Sequence, residues 1–203
     1  MREVDFQQAL ETLSRGEPLA YPTETFYGLG VDIRQETALE KLFALKGRGA
    51  DKTASVLVSS LEEMKSLVSD LSNKSLKIIN KFLPGPLTLV LPAKPGLAPQ
   101  LLSEGTYVGI RWSSHSLAQR LVREFGAPIT TTSANLSGKP AASSPAQLDE
   151  YFGEGSSLAW LNGGELEASK GSTVVKVEKE DLKLIREGEI AFAEILALSS
   201  RTK

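Results

Sequence analysis

Lys46, Arg48 and Lys52 place three cations within seven residues of a slightly acidic chain. A guanidinium can fork onto a phosphate or carboxylate, and an ammonium beside it acts as a point charge. The spacing suits an anion clamp. The same cations also complement the C-terminal dipole of a preceding helix, so the residues alone leave both readings open. A second cluster, Thr130-Thr131-Thr132-Ser133-Ala134-Asn135, is a row of hydroxyls ending in an amide. Alternate side chains of an extended chain share a face. Thr131, Ser133 and Asn135 are therefore expected to point together, toward a phosphate, ribose or carboxylate, or else toward water from an edge strand. A third cluster runs Tyr21-Pro22-Thr23-Glu24-Thr25 and continues as Tyr27-Gly28-Leu29-Gly30. Its glycines would let a ligand approach the backbone, and a tight turn would look the same. Arg111, Ser172 and Arg186 are scattered, and each alone reads as readily as a surface group.

Much chemistry is excluded by composition. There is no cysteine, so disulfides, thiolate metal sites and a cysteine nucleophile are absent. The single histidine, His115, rules out a zinc site with several histidine ligands. Ahead of a helical segment it reads as a cap or surface group. Neither a Walker A pattern nor G-x-G-x-x-G occurs, so a nucleotide would be held without either phosphate loop. The acidic residues show no repeated metal-ligand spacing. Lys and Arg number 23 against 25 Asp and Glu, a net charge of −2, which gives no overall pull toward nucleic acid. The chain is 41% hydrophobic and 24% charged, the balance of a soluble globular protein. Met1-Arg2-Glu3-Val4-Asp5 lacks the start of a signal peptide, and no apolar run reaches the roughly 20 residues needed to span a bilayer. A cytoplasmic protein with one domain over residues 1–203 and no membrane contact is expected.

The elements that must position these groups alternate. Helical spacing predicts helices from Phe6 to Leu13, Glu36 to Leu45, from Ser60, Lys74 to Leu83, Leu117 to Phe125, Ala146 to Phe152 and Ile190 to Leu198. Strands are predicted at Pro18–Pro22, Thr53–Val58, Leu87–Leu91, Tyr107–Trp112, Pro128–Thr132, Leu158–Leu161, Ser172–Val177 and Leu182–Arg186. Thr23 to Gly30 reads as a glycine-bearing loop, and Leu136 to Pro145 as an ordered one. The pattern predicts an α/β fold with a mixed sheet and helices packed on it. The polar clusters fall at strand ends, where such folds bind ligands. From the residues alone the reading stops at a polyanion or nucleotide pocket.

Taken in order, the clusters resemble the YrdC/Sua5 family in its short bacterial, TsaC-type form, the threonylcarbamoyl-AMP synthases. The resemblance runs from about Gly16 to Ile190. It rests on Tyr21-Pro22-Thr23-Glu24-Thr25-Phe26-Tyr27-Gly28-Leu29-Gly30, Lys46-Gly47-Arg48, Pro84-Gly85-Pro86-Leu87-Thr88, Val108-Gly109-Ile110-Arg111, Thr132-Ser133-Ala134-Asn135-Leu136-Ser137-Gly138, Ser172-Thr173-Val174 and Ile185-Arg186-Glu187-Gly188. Lys46-x-Arg48 and Ser133-x-Asn135 match the family's K-x-R and S-x-N signature. The resemblance implies a YrdC-like (DHBP synthase-like) twisted open mixed sheet around a deep, positively lined cavity. It implies a nucleotidyltransferase that condenses L-threonine, bicarbonate or CO2, and ATP into threonylcarbamoyl-AMP and diphosphate. The product would pass to a tRNA threonylcarbamoyl transferase complex for N6-threonylcarbamoyladenosine at position 37. Lys46, Arg48, Ser133 and Asn135 would be catalytic, and with Lys52 and Arg186 would bind ATP. Thr23, Arg111, Thr131 and Ser172 would bind L-threonine. Mg²⁺ would come with ATP, with no tightly bound protein-ligated metal.

The chain departs from the family pattern at three places. Gly49 to Ser55 replace a proline-bearing run, Ala141 stands where some relatives have serine, with Ser143 nearby, and Glu187 stands where proline is common. Weak tRNA binding is a further possible interaction; the competing readings are an RNA-binding YrdC-like module, marked by salt-sensitive tRNA binding without ATP turnover, and a fold-sharing paralog without synthase activity. The charge of −2 and the lack of an aromatic single-strand platform argue against the first. The intact signature argues against the second.

Overall fold

The computed structural model describes residues 1–47, 52–153, 156–179 and 181–199, apart from the side chain of 199. Arg48 and the first three residues of the departing run after it, 49–51, lie outside the described residues.

Short polar caps set the helices. In α1 (Phe6–Ser14), Asp5 and Gln8 form a reciprocal capping box, which satisfies two of the amides a helix start leaves open. Ser60 caps α3 (Leu61–Leu67), Ser72 caps α4 (Asn73–Phe82) and Ser144 caps α6 (Pro145–Phe152). His115 caps α5 (Ser116–Phe125), its Nδ1 accepting the Leu117 amide at 3.3 Å. Burial lowers the pKa of that imidazole, despite the opposing pull of the Glu24 charge. The predicted cap is its role. Gly126 ends α5 in the left-handed region. Helices α2 (Glu36–Leu45) and α7 (Phe192–Ser199) complete the set. Among the described residues no helix is long and apolar enough to cross a membrane.

The strands are β1 (Arg2–Val4), β2 (Leu19–Pro22), β3 (Tyr27–Gly30), β4 (Ser55–Leu57), β5 (Leu87–Pro92), β6 (Leu102–Ser103), β7 (Tyr107–Arg111), β8 (Ile129–Ser133), β9 (Ala159–Leu161), β10 (Thr173–Glu178) and β11 (Asp181–Arg186). Among the described residues they form one open sheet in the order β1-β9-β2-β3-β8-β4-β7-β5-β10-β11, with β6 paired to β7. Pairs β1–β9, β2–β9, β4–β7 and β5–β10 are parallel, and the other pairs are antiparallel. The twisted mixed sheet is the one predicted.

Alternation along the strands sends side chains to two cores. Leu19 and Tyr21 of β2, Leu57 of β4 and Ile129 of β8 face Ala9 and Leu13 of α1 and Leu121 and Val122 of α5. Their neighbours Ala20 and Val56 face the larger core, with Leu39 and Leu42 of α2 and Ile78 and Ile79 of α4.

Tyr27–Gly30, predicted as loop, is instead a fully buried strand. The glycines that suggested a loop make room for a ring. A Cβ on Gly30 would stand 2.8 Å from Tyr21 Cε1, so the buried Tyr21 lies directly over the partner strand. Glycine in a strand can mark such a close approach. Strands β1 and β6 were not foreseen, because two or three residues carry no readable alternation.

Candidate active site

Sheet register brings the distant arginines together. Arg111 of β7 lies opposite Thr88 of β5, Thr88 opposite Val174 of β10, and Val174 opposite Arg186 of β11. Residues directly opposite share a face. These four therefore form one row across four strands, and all four line a cavity of about 410 Å³. A parallel arrangement on the neighbouring strands places Ser55 opposite Thr131 and Gly28 opposite Ser133, and these line the same cavity. Thr25, Asn135, Lys139 and Ser172 complete much of the polar wall, and Ala141 lines it too. Among the described lining residues the charged ones are Arg111, Lys139 and Arg186, with no carboxylate.

At one end Arg111 is held from behind. Its Nη2 donates to Thr25 Oγ1 at 2.7 Å, Glu24 Oε1 at 3.0 Å and Thr23 Oγ1 at 3.1 Å. Ser113 donates a short hydrogen bond to Glu24 Oε2. Burial raises the Glu24 carboxyl pKa, but Arg111 and the Ser113 hydrogen bond outweigh it and hold the group below its ordinary value. Arg186 donates through Nη2 to the Ser172 carbonyl at 2.7 Å and to Ser172 Oγ at 3.2 Å. Burial, and then the positive charge of Arg111, push its pKa down. The two guanidinia thus sense one another across the cavity. Thr88 and Ser172 share a hydrogen bond of 3.0 Å between their hydroxyls. Gly188 lets the chain after Arg186 pass close to Ser172: a Cβ there would meet Gly171 O at 2.2 Å.

At the other end Lys46 follows α2 directly. Its Nζ makes a short bond to the Ser133 carbonyl, and donates to Asn135 O at 3.0 Å and Asn135 Oδ1 at 2.9 Å. Ser133 Oγ donates to Asn135 Oδ1 at 2.7 Å. Lys46, Lys52, Ser133, Asn135 and Ser137 line a smaller cavity of about 110 Å³ that shares Ser133 and Asn135 with the first. Lys52 Nζ reaches Ser137 Oγ at 3.1 Å.

Of the ten residues singled out in the sequence, Arg111, Thr131, Ser133, Asn135, Ser172 and Arg186 line the main cavity. Lys46 and Lys52 line the adjoining one, and Arg48 lies outside the described residues. Thr23 is buried behind Arg111, and Thr25 takes the place at the wall. The sequence reading passed over Thr25, Ser55, Thr88 and Lys139 as wall residues, and Glu24 and Ser113 behind them. The P-T-E-T run was the available signal for Thr25 and Glu24. Only strand register reveals Ser55 and Thr88. Ala141 does line the cavity, but Ser143 does not stand in for the missing hydroxyl: its amide and Oγ both donate to Gln147 Oε1 in α6. Glu187 accepts the Phe192 amide at 2.8 Å and so secures the start of α7.

Fold and site together define an α/β protein with a cavity on its open sheet, lined by hydroxyls, an amide and cations. Residues 11–188 match the Sua5/YciO/YrdC family, which carries the description "Telomere recombination"; the chain belongs to this family. It is 34% identical over 192 residues to the threonylcarbamoyl-AMP synthase of Bacillus subtilis, covering 94% of this chain and 55% of that protein. It is 37% identical over 152 residues to the synthase of Photobacterium profundum, covering 74% and 82%. The crystal structure of Pyrococcus abyssi Sua5 complexed with L-threonine superposes with a TM-score of 0.87 at 30% identity, covering 97% of this chain and 59% of that one. Escherichia coli YciO shares the fold, with a TM-score of 0.82 at 23% identity, covering 94% and 95%. The chain thus spans little more than half the length of some relatives and most of the length of others.

Proposed function

We propose that this protein is a threonylcarbamoyl-AMP synthase, a nucleotidyltransferase that joins L-threonine, bicarbonate or CO2, and ATP. The observation that carries the reading is the cavity itself, with two guanidinia at one end and Lys46, Ser133 and Asn135 at the other. Relatives named as threonylcarbamoyl-AMP synthases, and a Sua5 structure complexed with L-threonine, support it. One sheet links strands from Arg2 to Arg186, which supports treating residues 1–203 as one functional unit.

In this reading Arg111 and Ser172 receive the threonine carboxylate and side chain, with Thr131 beside them and Thr23 supporting from behind. Lys46, Arg48, Lys52, Ser133, Asn135 and Arg186 hold the nucleotide phosphates. The neutral threonine amine adds to CO2 and gives up one proton to solvent, forming a carbamate. A carbamate oxygen then attacks the α-phosphorus, the bond to the bridging oxygen breaks, and diphosphate leaves with the electron pair. Negative charge grows on the phosphoryl oxygens and leaving group. Fixed cations and donors stabilise that charge without reorganising. Mg²⁺ belongs to the ATP substrate. Among the described residues no three His, Asp or Glu side chains gather where they could hold a metal ion. The product is proposed to feed a tRNA threonylcarbamoyl transferase complex in the cytoplasm.

The test is diphosphate release from ATP. Release that requires both L-threonine and bicarbonate is expected. ATP turnover indifferent to threonine, in folded protein, would overturn the reading.

A further inference from the structure

We infer that Glu24 is the positioning residue of the arginine end. It fixes the Arg111 guanidinium in the orientation that a carboxylate-bearing substrate meets, with Ser113 as its second anchor. The synthase reading supplies the identity of that substrate; the geometry stands apart from it.

Glu24 is not part of the cavity wall. Its two oxygens are committed in different directions, Oε1 to Arg111 Nη2 at 3.0 Å and Oε2 to the Ser113 hydroxyl. Ser113 is itself buried, and its Oγ accepts the His115 amide at 3.1 Å. The carboxylate therefore cannot turn without breaking a charge-assisted bond. A guanidinium is planar and rigid, so holding Nη2 among Glu24, Thr23 and Thr25 also sets where its other donors lie. One of these, Nε–H, is buried with no hydrogen-bond partner among the described residues. An unmatched buried donor is rare in a finished hydrogen-bond network, and this one reports on how the guanidinium is seated.

The charge of Glu24 has its own logic. A carboxylate beside an anion-binding arginine opposes the incoming anion, so a neutral anchor would favour affinity. Arg186 supplies the reason for a charged one. Two guanidinia face one cavity, and the charge of Arg111 already weighs on Arg186. Before an anion arrives they repel each other. Glu24 holds Arg111 at its post against that repulsion.

The test uses the full chain with Glu24→Ala and the isosteric Glu24→Gln. Diphosphate release is measured as threonine and ATP are varied separately. The Arg111 Nε–H resonance is followed by NMR, with Arg111→Lys used for assignment. Glu24→Ala should raise the threonine KM by about 10- to 30-fold while moving the ATP KM by less than about twofold. Glu24→Gln should recover part of the loss, because its amide oxygen still accepts from Arg111. The Nε–H signal should be protected in the parent protein, lost in Glu24→Ala and retained in Glu24→Gln. In Glu24→Ala, equal rises in both KM values, an unchanged threonine KM, or an unchanged Nε–H signal would overturn the inference. If Glu24→Ala fails to fold, Glu24→Gln decides: a threonine KM and Nε–H signal no better than those of Arg111→Lys would overturn it. If the parent protein shows no threonine-dependent turnover, the synthase reading falls, and the Nε–H signal alone decides the role of Glu24.

Discussion

The two ends of the cavity are built on different principles. At the arginine end, groups from the β2–β3 turn, β7, β10 and β11 meet through sheet register, and a partly buried carboxylate pins the main cation. At the lysine end, a helix terminus and the end of β8 meet, and Lys46 binds carbonyl and amide oxygens around Ser133 and Asn135. The first end is stiff and partly neutralised by Glu24. The second places its ammonium against dipoles, with Ser133 and Asn135 shared between the two cavities. A small carboxylate needs a fixed orientation; a polyphosphate needs charge along its length. The contrast fits the proposed division, in which Arg111 meets the amino acid and Lys46 the nucleotide, while Arg186 beside Arg111 reaches the phosphates.

The comparison is broken most forcefully at the lysine end. Lys46→Ala should lower kcat/KM for ATP by about 10²- to 10³-fold, the scale for losing a donor to developing charge. It also releases Ser133 and Asn135 from their shared anchor. Steady-state diphosphate release checks this. Arg111→Ala should cost on the order of 100-fold in threonine affinity. It also leaves the partly buried Glu24 without its cation, so the melting temperature should fall as well. Threonine titration and thermal unfolding measure the two effects separately.

Acid sharpens the contrast. The folded pKa of Glu24 lies below the ordinary carboxylate value of 4.5. Its ion pair therefore contributes stability above that value, and the contribution is lost as pH falls through the folded pKa. Glu24→Gln should flatten the loss of stability between about pH 6 and about pH 3, read from urea midpoints. An equal slope in both proteins would contradict the assigned pairing. The smallest effect is expected far from both ends. Asp5→Ala removes one half of the α1 capping box, which should cost about 1 kcal/mol in urea unfolding and leave the threonine and ATP KM values unchanged.

The two ends were also unequally legible in the sequence. The lysine end is written locally: Lys46 follows an amphipathic helix, Ser133 closes a strand, and Asn135 stands two residues beyond it. The arginine end is not local. Arg111, Ser172 and Arg186 are separated by 61 and 14 positions, and nothing in their spacing says they meet. Strand order and register bring them together, and those follow from long-range packing that no short window contains. The same holds for Thr88 and Ser55, each an ordinary hydroxyl in an apolar strand. Helices and most strands were readable because their apolar spacing and serine caps are local. Tyr27–Gly30 misled because its glycines answer to the Tyr21 ring, which belongs to another strand. Glu24 stood in plain view within P-T-E-T, but its task depends on Ser113 and Arg111, both about ninety residues away.

The central claim is that Arg111 and Lys46, in two adjoining cavities, serve different substrates, Arg111 the threonine and Lys46 the ATP, with Arg186 on the nucleotide side. Calorimetric titration of L-threonine and of ATP into the parent protein, Lys46→Ala and Arg111→Ala tests it most directly. The account predicts that Arg111→Ala loses threonine and keeps ATP, and that Lys46→Ala loses ATP and keeps threonine. Threonine affinity that survives Arg111→Ala, or variants that each lose both ligands equally, would contradict it.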